Sequence, residues 1–464
     1  MKFINREQEL KSLEEWWTSR DPQLIIIYGR RRVGKTELIK QFIKDKPHVY
    51  FLAQQISEQE NLKMLGQLVG EHFDDLILQE KGFDSWQIFF DYLKKNLKKQ
   101  LILAIDEFPY LAEANKGISS IFQAGWDECL KKLPVFMILC GSSIAMMERE
   151  TLAAKAPLYG RRTGQVFLKP LGFFEASRFF PNLRFEEKLC YYSLLGGNPG
   201  YLIQVDPKLP FEDNLKKLVL RPFSPLYSEV EFLLREELRE PRIYLAILKA
   251  IARDRSRISE IVNETGLDKS SLHKYLFVLE DLQVIQKEYP ATESRPLKSK
   301  KGLYRLQDQY FKFWFRYVLP NRSKIEEGKV EEVSSLIRSE LNQLLAENYE
   351  IVARETLGKF ESNLFKFDRV GKWWDRNEEI DVAAVNEKEG KILLGEVKWS
   401  NKPVGTNILD DLKRKAGLID WQRGQRQEYY SLFSKSGFTE ALVNLAGKEN
   451  IFLFHEDRLV QFHK

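Results

Sequence analysis

Over the first 170 positions, apolar residues come in short blocks separated by longer mixed segments. The blocks stand at Leu24–Tyr28, Val49–Ala53, Leu101–Ile105, Val135–Cys140 and Val166–Leu168. Apolar runs alternating with amphipathic segments predict a parallel sheet covered by helices on both faces. From Phe173 to about Glu240 the pattern is helical. Ile258, Ile261 and Val262 then form one apolar face, and Leu272, Tyr275, Leu276, Leu279 and Leu282 form another, with Gly266 between them. Two helices joined by a tight glycine turn, followed by strands at Val284–Tyr289 and Gly302–Leu306, predict a winged helix-turn-helix. The run Tyr310–Val318 is too aromatic for a linker and is read as core or domain interface. A helix over Leu341–Arg354 and two strands flanking the turn-like stretch Asn386–Gly390 complete the pattern. The predicted divisions are 1–172, 173–240 (a helical lid), 241–308, 309–340 (a helical connector) and 341–464.

The stretch GRRRVGKT, Gly29 through Arg30, Arg31, Arg32, Val33 and Gly34 to Lys35 and Thr36, directly follows the first apolar run. Its glycines let backbone N–H groups turn inward around phosphates. Lys35 can reach the β- and γ-phosphates, and the Thr36 hydroxyl can ligate Mg²⁺. The helix that begins there adds its positive end to the same cradle. These residues predict binding of a nucleoside triphosphate. In LILAIDEF, the five apolar residues Leu101–Ile105 lead to Asp106 and Glu107 at a strand end. Asp106 is placed to hold Mg²⁺ through water, and Glu107 to orient or activate the attacking water.

Composition narrows the picture modestly. The 464 residues include 72 Lys+Arg against 67 Asp+Glu, a net charge of +5, so only local patches can argue for nucleic acid. Cys129, Cys140 and Cys190 form no CxxC pair, which argues against a cysteine zinc site or a disulfide framework. Neither a signal-peptide pattern nor an apolar run of membrane-spanning length is seen. A cytoplasmic protein with no membrane partner is expected.

The first two hundred or so residues resemble the AAA+/STAND-type P-loop ATPases, in particular the archaeal ATPase family. The resemblance is carried by FINREQEL at Phe3–Leu10, GRRRVGKT, LILAIDEF, ILCGSS at Ile138–Ser143, PLYGRRTG at Pro157–Gly164 and GGNPGYL at Gly196–Leu202. It implies ATP as ligand, with Asn5 and Arg6 near the adenine and Pro199 packing on the base from the lid. Ser142 or Ser143 would sense the γ-phosphate. Arg161 and Arg162 are candidates for an arginine finger, which a neighbouring subunit of a homo-oligomer could supply; a surface ion pair is the alternative.

In the winged helix, Lys269, Ser270, His273 and Lys274 fall on the outward side of the second helix, where a major-groove reader places its contacts. Arg295, Lys298, Lys300 and Lys301 make the wing loop basic. Internal packing is the competing role.

The last informative stretch is EEIDVAAVNEKEGKILLGEVKWS, Glu378–Ser400. A hairpin centred between Lys388 and Glu389 sets Asp381 directly opposite Glu396, with Cβ atoms roughly 5 Å apart. Lys398, two residues on, points to the same face. Charges on otherwise apolar strands need partners, and a divalent ion between Asp381 and Glu396 would supply one. The D-x(n)-E-x-K pattern resembles the PD-(D/E)XK, restriction-endonuclease-like superfamily. That resemblance implies Mg²⁺ on Asp381 and Glu396, Lys398 aiding the nucleophile, and Glu350 as the acid of the first helix. The preceding VGKWWDRNEEID resembles the domain often fused behind archaeal-type ATPases. Lys413, Arg414 and Lys415 could meet a DNA backbone or form a solvated face.

The expected fold is therefore α/β: a P-loop AAA+ ATPase domain with a helical lid, a winged helix, and an α/β restriction-endonuclease-like domain. The expected function couples ATP binding and hydrolysis to DNA binding and Mg²⁺-dependent DNA cleavage, leaving RNA open as partner. The alternative is an ATP-driven STAND-type signalling or scaffolding switch whose C-terminal fold does not cleave.

Overall fold

The computed structural model describes residues 3–375 and 377–461, and the chain divides into two compact units. The first runs to Leu171 and takes in Asn198–Ile203 and Phe232–Arg239. The second comprises Gly172–Gly197, Gln204–Glu231 and the chain from Glu240 onward. The segment 173–240, expected as one lid, is thus shared between the two.

In the first unit, β1 (Gln23–Tyr28), β2 (His48–Leu52), β3 (Leu101–Asp106), β4 (Val135–Gly141) and β5 (Gly164–Phe167) form one sheet in the order β2-β3-β4-β1-β5. Every pairing is parallel. All residues of β1, β3 and β4 are buried. This is why these strands read as continuous apolar runs and not as alternation. Ile25, Ile27, Ile102, Ala104 and Ile138 pack against Leu38, Ile39 and Phe42 of the helix Lys35–Ile43. Tyr28 lies beside Gly141 and Ile105 beside Leu139, so the C-terminal ends of three strands share one edge. In open parallel sheets, that edge is where ligands bind.

The second unit contains the winged helix: helices Pro241–Ala252, Ile258–Thr265 and Lys269–Asp281, then β6 (Ile285–Glu288) paired antiparallel with β7 (Leu303–Leu306). Gly266 ends the middle helix in the left-handed conformation at φ 70°, and the Asp268 carboxylate accepts from the Ser270 and Ser271 N–H groups to start the next. Tyr310, Phe311, Phe313, Trp314 and Tyr317 are buried, and the Trp314 indole N–H donates to the Tyr227 carbonyl at 2.7 Å. The aromatic run is core.

The six remaining strands are β8 (Arg369–Trp374), β9 (Glu379–Asn386), β10 (Lys391–Lys398), β11 (Gln427–Ser434), β12 (Ile451–His455) and β13 (Arg458–Gln461), in the order β13-β12-β11-β10-β9-β8. Strands β10, β11 and β12 are parallel; the other pairings are antiparallel. The helices Val330–Lys359 and Thr406–Ala416 both pack on β9 and β10. The wing is tied to this sheet. The Ala291 N–H donates to the Lys372 carbonyl at 2.8 Å, and the Arg369 guanidinium returns a bond to the Ala291 carbonyl at 2.9 Å. Ala291 itself is buried in one cluster with Trp373, Ile380, Val385 and Ile392. Among the described residues, no helix is long and apolar enough to cross a membrane.

Candidate functional sites

The phosphate loop leaves β1 at Gly29, whose φ is 152°; a Cβ there would lie 2.3 Å from the Leu168 carbonyl oxygen. Gly34, at φ 94°, turns the chain into the helix that starts with Lys35. Glycine is needed at both positions, at one for space and at the other for conformation. The buried Lys35 ammonium donates to the Gly29 and Arg30 carbonyls at 2.9 and 3.0 Å. Thr36 Oγ1 donates to Asp106 Oδ2 at 2.7 Å, and the Tyr50 hydroxyl donates to the same oxygen at 2.8 Å. Asp106 has no solvent exposure. Glu107 adopts a left-handed backbone (φ 54°), and its Oε2 accepts from Ser142 Oγ at 2.9 Å and the Ser142 N–H at 3.2 Å. The elements expected to hold and sense a triphosphate are therefore gathered at one sheet edge.

The other residues of this site have more specific partners. Arg6 is buried and donates to the carbonyls of Val33 and Lys169 at 3.0 and 2.7 Å, so it buttresses the loop. The GGNPGYL segment meets the loop through the Gly200 N–H, which donates to the Arg32 carbonyl at 3.0 Å, and Pro199 begins the short helix there. The Arg31 guanidinium pairs with Glu236. Arg161 is engaged by Asp127, with N···O distances of 3.0 and 3.2 Å, while Arg162 donates to the Thr151 and Leu152 carbonyls. Both arginines thus have partners within their own chain.

In the C-terminal domain, the β9–β10 register runs from Lys391↔Asn386 to Gly395↔Val382, the register expected of the hairpin. It stops one pair short of Glu396 and Asp381. The pairing on the other side of β9 is irregular at the same place. Between the pairs Gly371↔Ala383 and Trp373↔Ile380, the single residue Lys372 of β8 faces both Asp381 and Val382. This β-bulge breaks the alternation, so that Ile380 and Ala383 join the same buried cluster although three positions apart. The expectation of a simple shared face for Asp381 and Glu396 is corrected accordingly. Asp381 Oδ2 accepts the Val397 N–H at 2.9 Å.

The carboxylate oxygens that converge on Asp381 come from Glu350 and Glu379, all three within 4.8 Å of one another. Burial, then the neighbouring Glu350 and Glu396 charges, push the Asp381 carboxyl up to about 7. Glu396, only 4% exposed, is held by two ammonium groups, Lys398 at 2.8 Å and Lys415 at 2.7 Å. Lys372 bridges Glu350 and Glu379 at 2.5 and 2.8 Å, and Arg354 donates to the Asp381 carbonyl at 2.9 Å. Glu379, Lys372 and Arg354 were not singled out in the sequence, and Lys415 was read there only as a DNA-backbone contact or part of a solvated face. Glu379 could have been, because it stands two residues before Asp381. Arg414 pairs with Glu378 and Lys413 with Glu449, so this basic triplet is committed to carboxylates. Lys269, Ser270, His273 and Lys274 are all exposed on the winged helix, as are Arg295, Lys298, Lys300 and Lys301.

Residues 3–205 match the family model described as an ATPase domain predominantly from Archaea. Residues 243–288 match the IclR helix-turn-helix domain, and residues 314–413 match a family of archaeal and bacterial proteins of unknown function. The chain is 39% identical over 440 residues to the protein MJECL04 of Methanocaldococcus jannaschii, covering 93% of this chain and 95% of that one. A 44-residue stretch is 57% identical to the ATP-binding protein MJ0423 of the same organism, covering 10% of this chain and 75% of that protein. Among solved structures, the Walker-type ATPase PABY2304 of Pyrococcus abyssi is similar in fold, with a TM-score of 0.52 at 24% identity. That likeness covers 68% of this chain and 96% of the other.

Proposed function

The chain belongs to the archaeal-type P-loop ATPases that carry a winged helix and a further C-terminal domain, and on that premise we propose that it couples its nucleotide state to DNA binding and Mg²⁺-dependent DNA cleavage. The observation that carries the cleavage reading is the convergence of Glu350, Glu379 and Asp381 within 4.8 Å.

For the ATPase step, Lys35 and the loop N–H groups hold the phosphates, and Glu107 orients the attacking water. Ser142 fixes Glu107 through its two hydrogen bonds and reports the γ-phosphate. Thr36 Oγ1 and Asp106 Oδ2 are hard oxygen donors 2.7 Å apart, a set that fits Mg²⁺. The three carboxylates of the C-terminal domain fit a divalent ion for the same reason. Bound there, the ion supplies charge neutralisation at the triphosphate and a Lewis acid at the phosphodiester. Lys398 and Lys415 hold Glu396 in place through their ion pairs, and Lys398 is the group available to a nucleophile. DNA reaches the protein through the exposed face of Lys269, Ser270, His273 and Lys274, with the basic wing loop beside it. RNA offers the same phosphates, and a competition between the two polymers separates them.

A second reading, a STAND-type switch with a non-cleaving C-terminal fold, is favoured by a different observation. The carboxylates around Asp381 already have basic partners, Lys372 for Glu350 and Glu379 and Lys398 and Lys415 for Glu396, while Arg354 holds the Asp381 main-chain carbonyl. A charge-balanced cluster can be a structural one. The deciding experiment incubates the purified protein with plasmid, single-stranded and branched DNA in Mg²⁺ or Mn²⁺, with and without ATP. Cleavage lost in Asp381→Ala, Glu379→Ala and Glu396→Ala supports the nuclease. Intact DNA under every condition overturns it in favour of the switch.

A further inference from the structure

The helix Glu229–Glu237 ends against the phosphate loop, and its last residues belong to the ATPase unit. Two successive acids at that end face the cations the triphosphate must use. Glu236 pairs with the Arg31 guanidinium. Glu237 accepts from Ser143 Oγ at 3.2 Å and carries favourable electrostatic contacts with Lys35 and Arg30. Ser143 directly follows Ser142, the residue that holds Glu107. The Glu237 carboxylate is therefore near both groups expected to meet the γ-phosphate: the loop lysine and the end of β4.

Negative charge in this position opposes a ligand that brings several negative charges of its own. Neither acid forms part of the motifs that carry the phosphates, and both stand more than 190 positions beyond the loop in sequence. Their proximity to the loop is created by the helix and not by the local chain. Burial raises the Glu237 carboxyl to about 7, against the pull of Ser143, Lys35 and Arg30, so part of its charge is already suppressed near neutral pH.

We propose that Glu236 and Glu237 are an internal competitor of ATP, carboxylates that neutralise the phosphate loop until a triphosphate displaces the end of their helix. This rests on the ATPase assignment and is independent of whether the C-terminal domain cleaves DNA. A state closed by its own carboxylates lowers the apparent affinity by the fraction of molecules that are open. Removing the charge should raise it.

The test titrates the full chain, in Mg²⁺ at pH 8, with a ribose-labelled fluorescent ATP analogue, comparing wild type with Glu237→Gln and Glu236→Gln. Glu236 is exposed, so its variant keeps the proposal testable even where Glu237→Gln fails to fold. The expected result is a Kd about 3- to 10-fold lower in the variants, with a faster association rate. An unchanged or weaker affinity in folded variants overturns the proposal. So does a variant that binds ATP as wild type does but has lost turnover, because that would make Glu237 a positioning residue of the hydrolysis step.

Discussion

Thr36 and Asp106, 70 positions apart, share a hydrogen bond of 2.7 Å. It joins the first turn after the phosphate loop to the end of β3, and each partner supplies an oxygen of the kind Mg²⁺ takes. Thr36→Ala and Asp106→Asn should each lower ATP turnover by about 10²-fold or more, as should Lys35→Ala. Phosphate release by the purified variants measures this, and near-wild-type turnover in Lys35→Ala would remove the assignment of the loop.

Glu107 and Ser142 should separate binding from turnover. Glu107→Gln keeps the side-chain shape, so nucleotide binding should persist while hydrolysis falls by about 10²-fold. Ser142→Ala removes one of the two hydrogen bonds to Glu107 Oε2 and leaves the backbone one; it should cost turnover about 10-fold with little change in affinity. Equal losses in Kd and kcat would mean that these residues only hold the fold.

Stability should carry a signature of Glu355. Its carboxylate accepts the Phe173 N–H at 2.8 Å, and burial pushes it up to about 7. A carboxyl raised in the folded state contributes stability that is complete below about pH 4 and is lost as the pH climbs through about 7. The loss should be on the order of 3 kcal/mol. Glu355→Gln retains an acceptor for the N–H and does not ionise. Thermal melts at pH 5 and pH 8 should therefore show a smaller drop in the variant than in wild type, and parallel drops would refute the prediction.

For the winged helix, Lys269→Ala and Lys274→Ala should each weaken DNA binding and reduce the salt slope of log K by about 1. Fluorescence anisotropy across a salt series reads both quantities. If affinity and slope stay at wild-type values, the domain is a packing module and its exposed lysines are merely solvated.

The sequence was informative wherever a structural signal is local. The phosphate loop needs glycine at Gly29 and Gly34 for reasons present within a few residues, and the fully buried strands announce themselves as apolar runs. Gly266 and Asp268 likewise mark the winged-helix turn where it occurs. The β9–β10 register followed from the turn alone. The bulge at Asp381 did not, because it arises from pairing with β8, on the far side of β9. Lys415 looked like one more residue of a solvated helix face, and only the approach of the Thr406–Ala416 helix to the sheet turns it onto Glu396. The division of 173–240 between two units was unreadable for the same reason: helical periodicity shows that a face is buried without naming what covers it.

Ala291 sits in the wing yet fills space inside the C-terminal sheet domain. A fragment cut to begin at 309 or 341 would leave a hole in its own interior and an unmet carbonyl at Lys372. A piece that keeps this interior whole must therefore include Ala291 and the wing that carries it. The winged helix and the sheet domain are, in the practical sense of dissection and of inheritance, a single part.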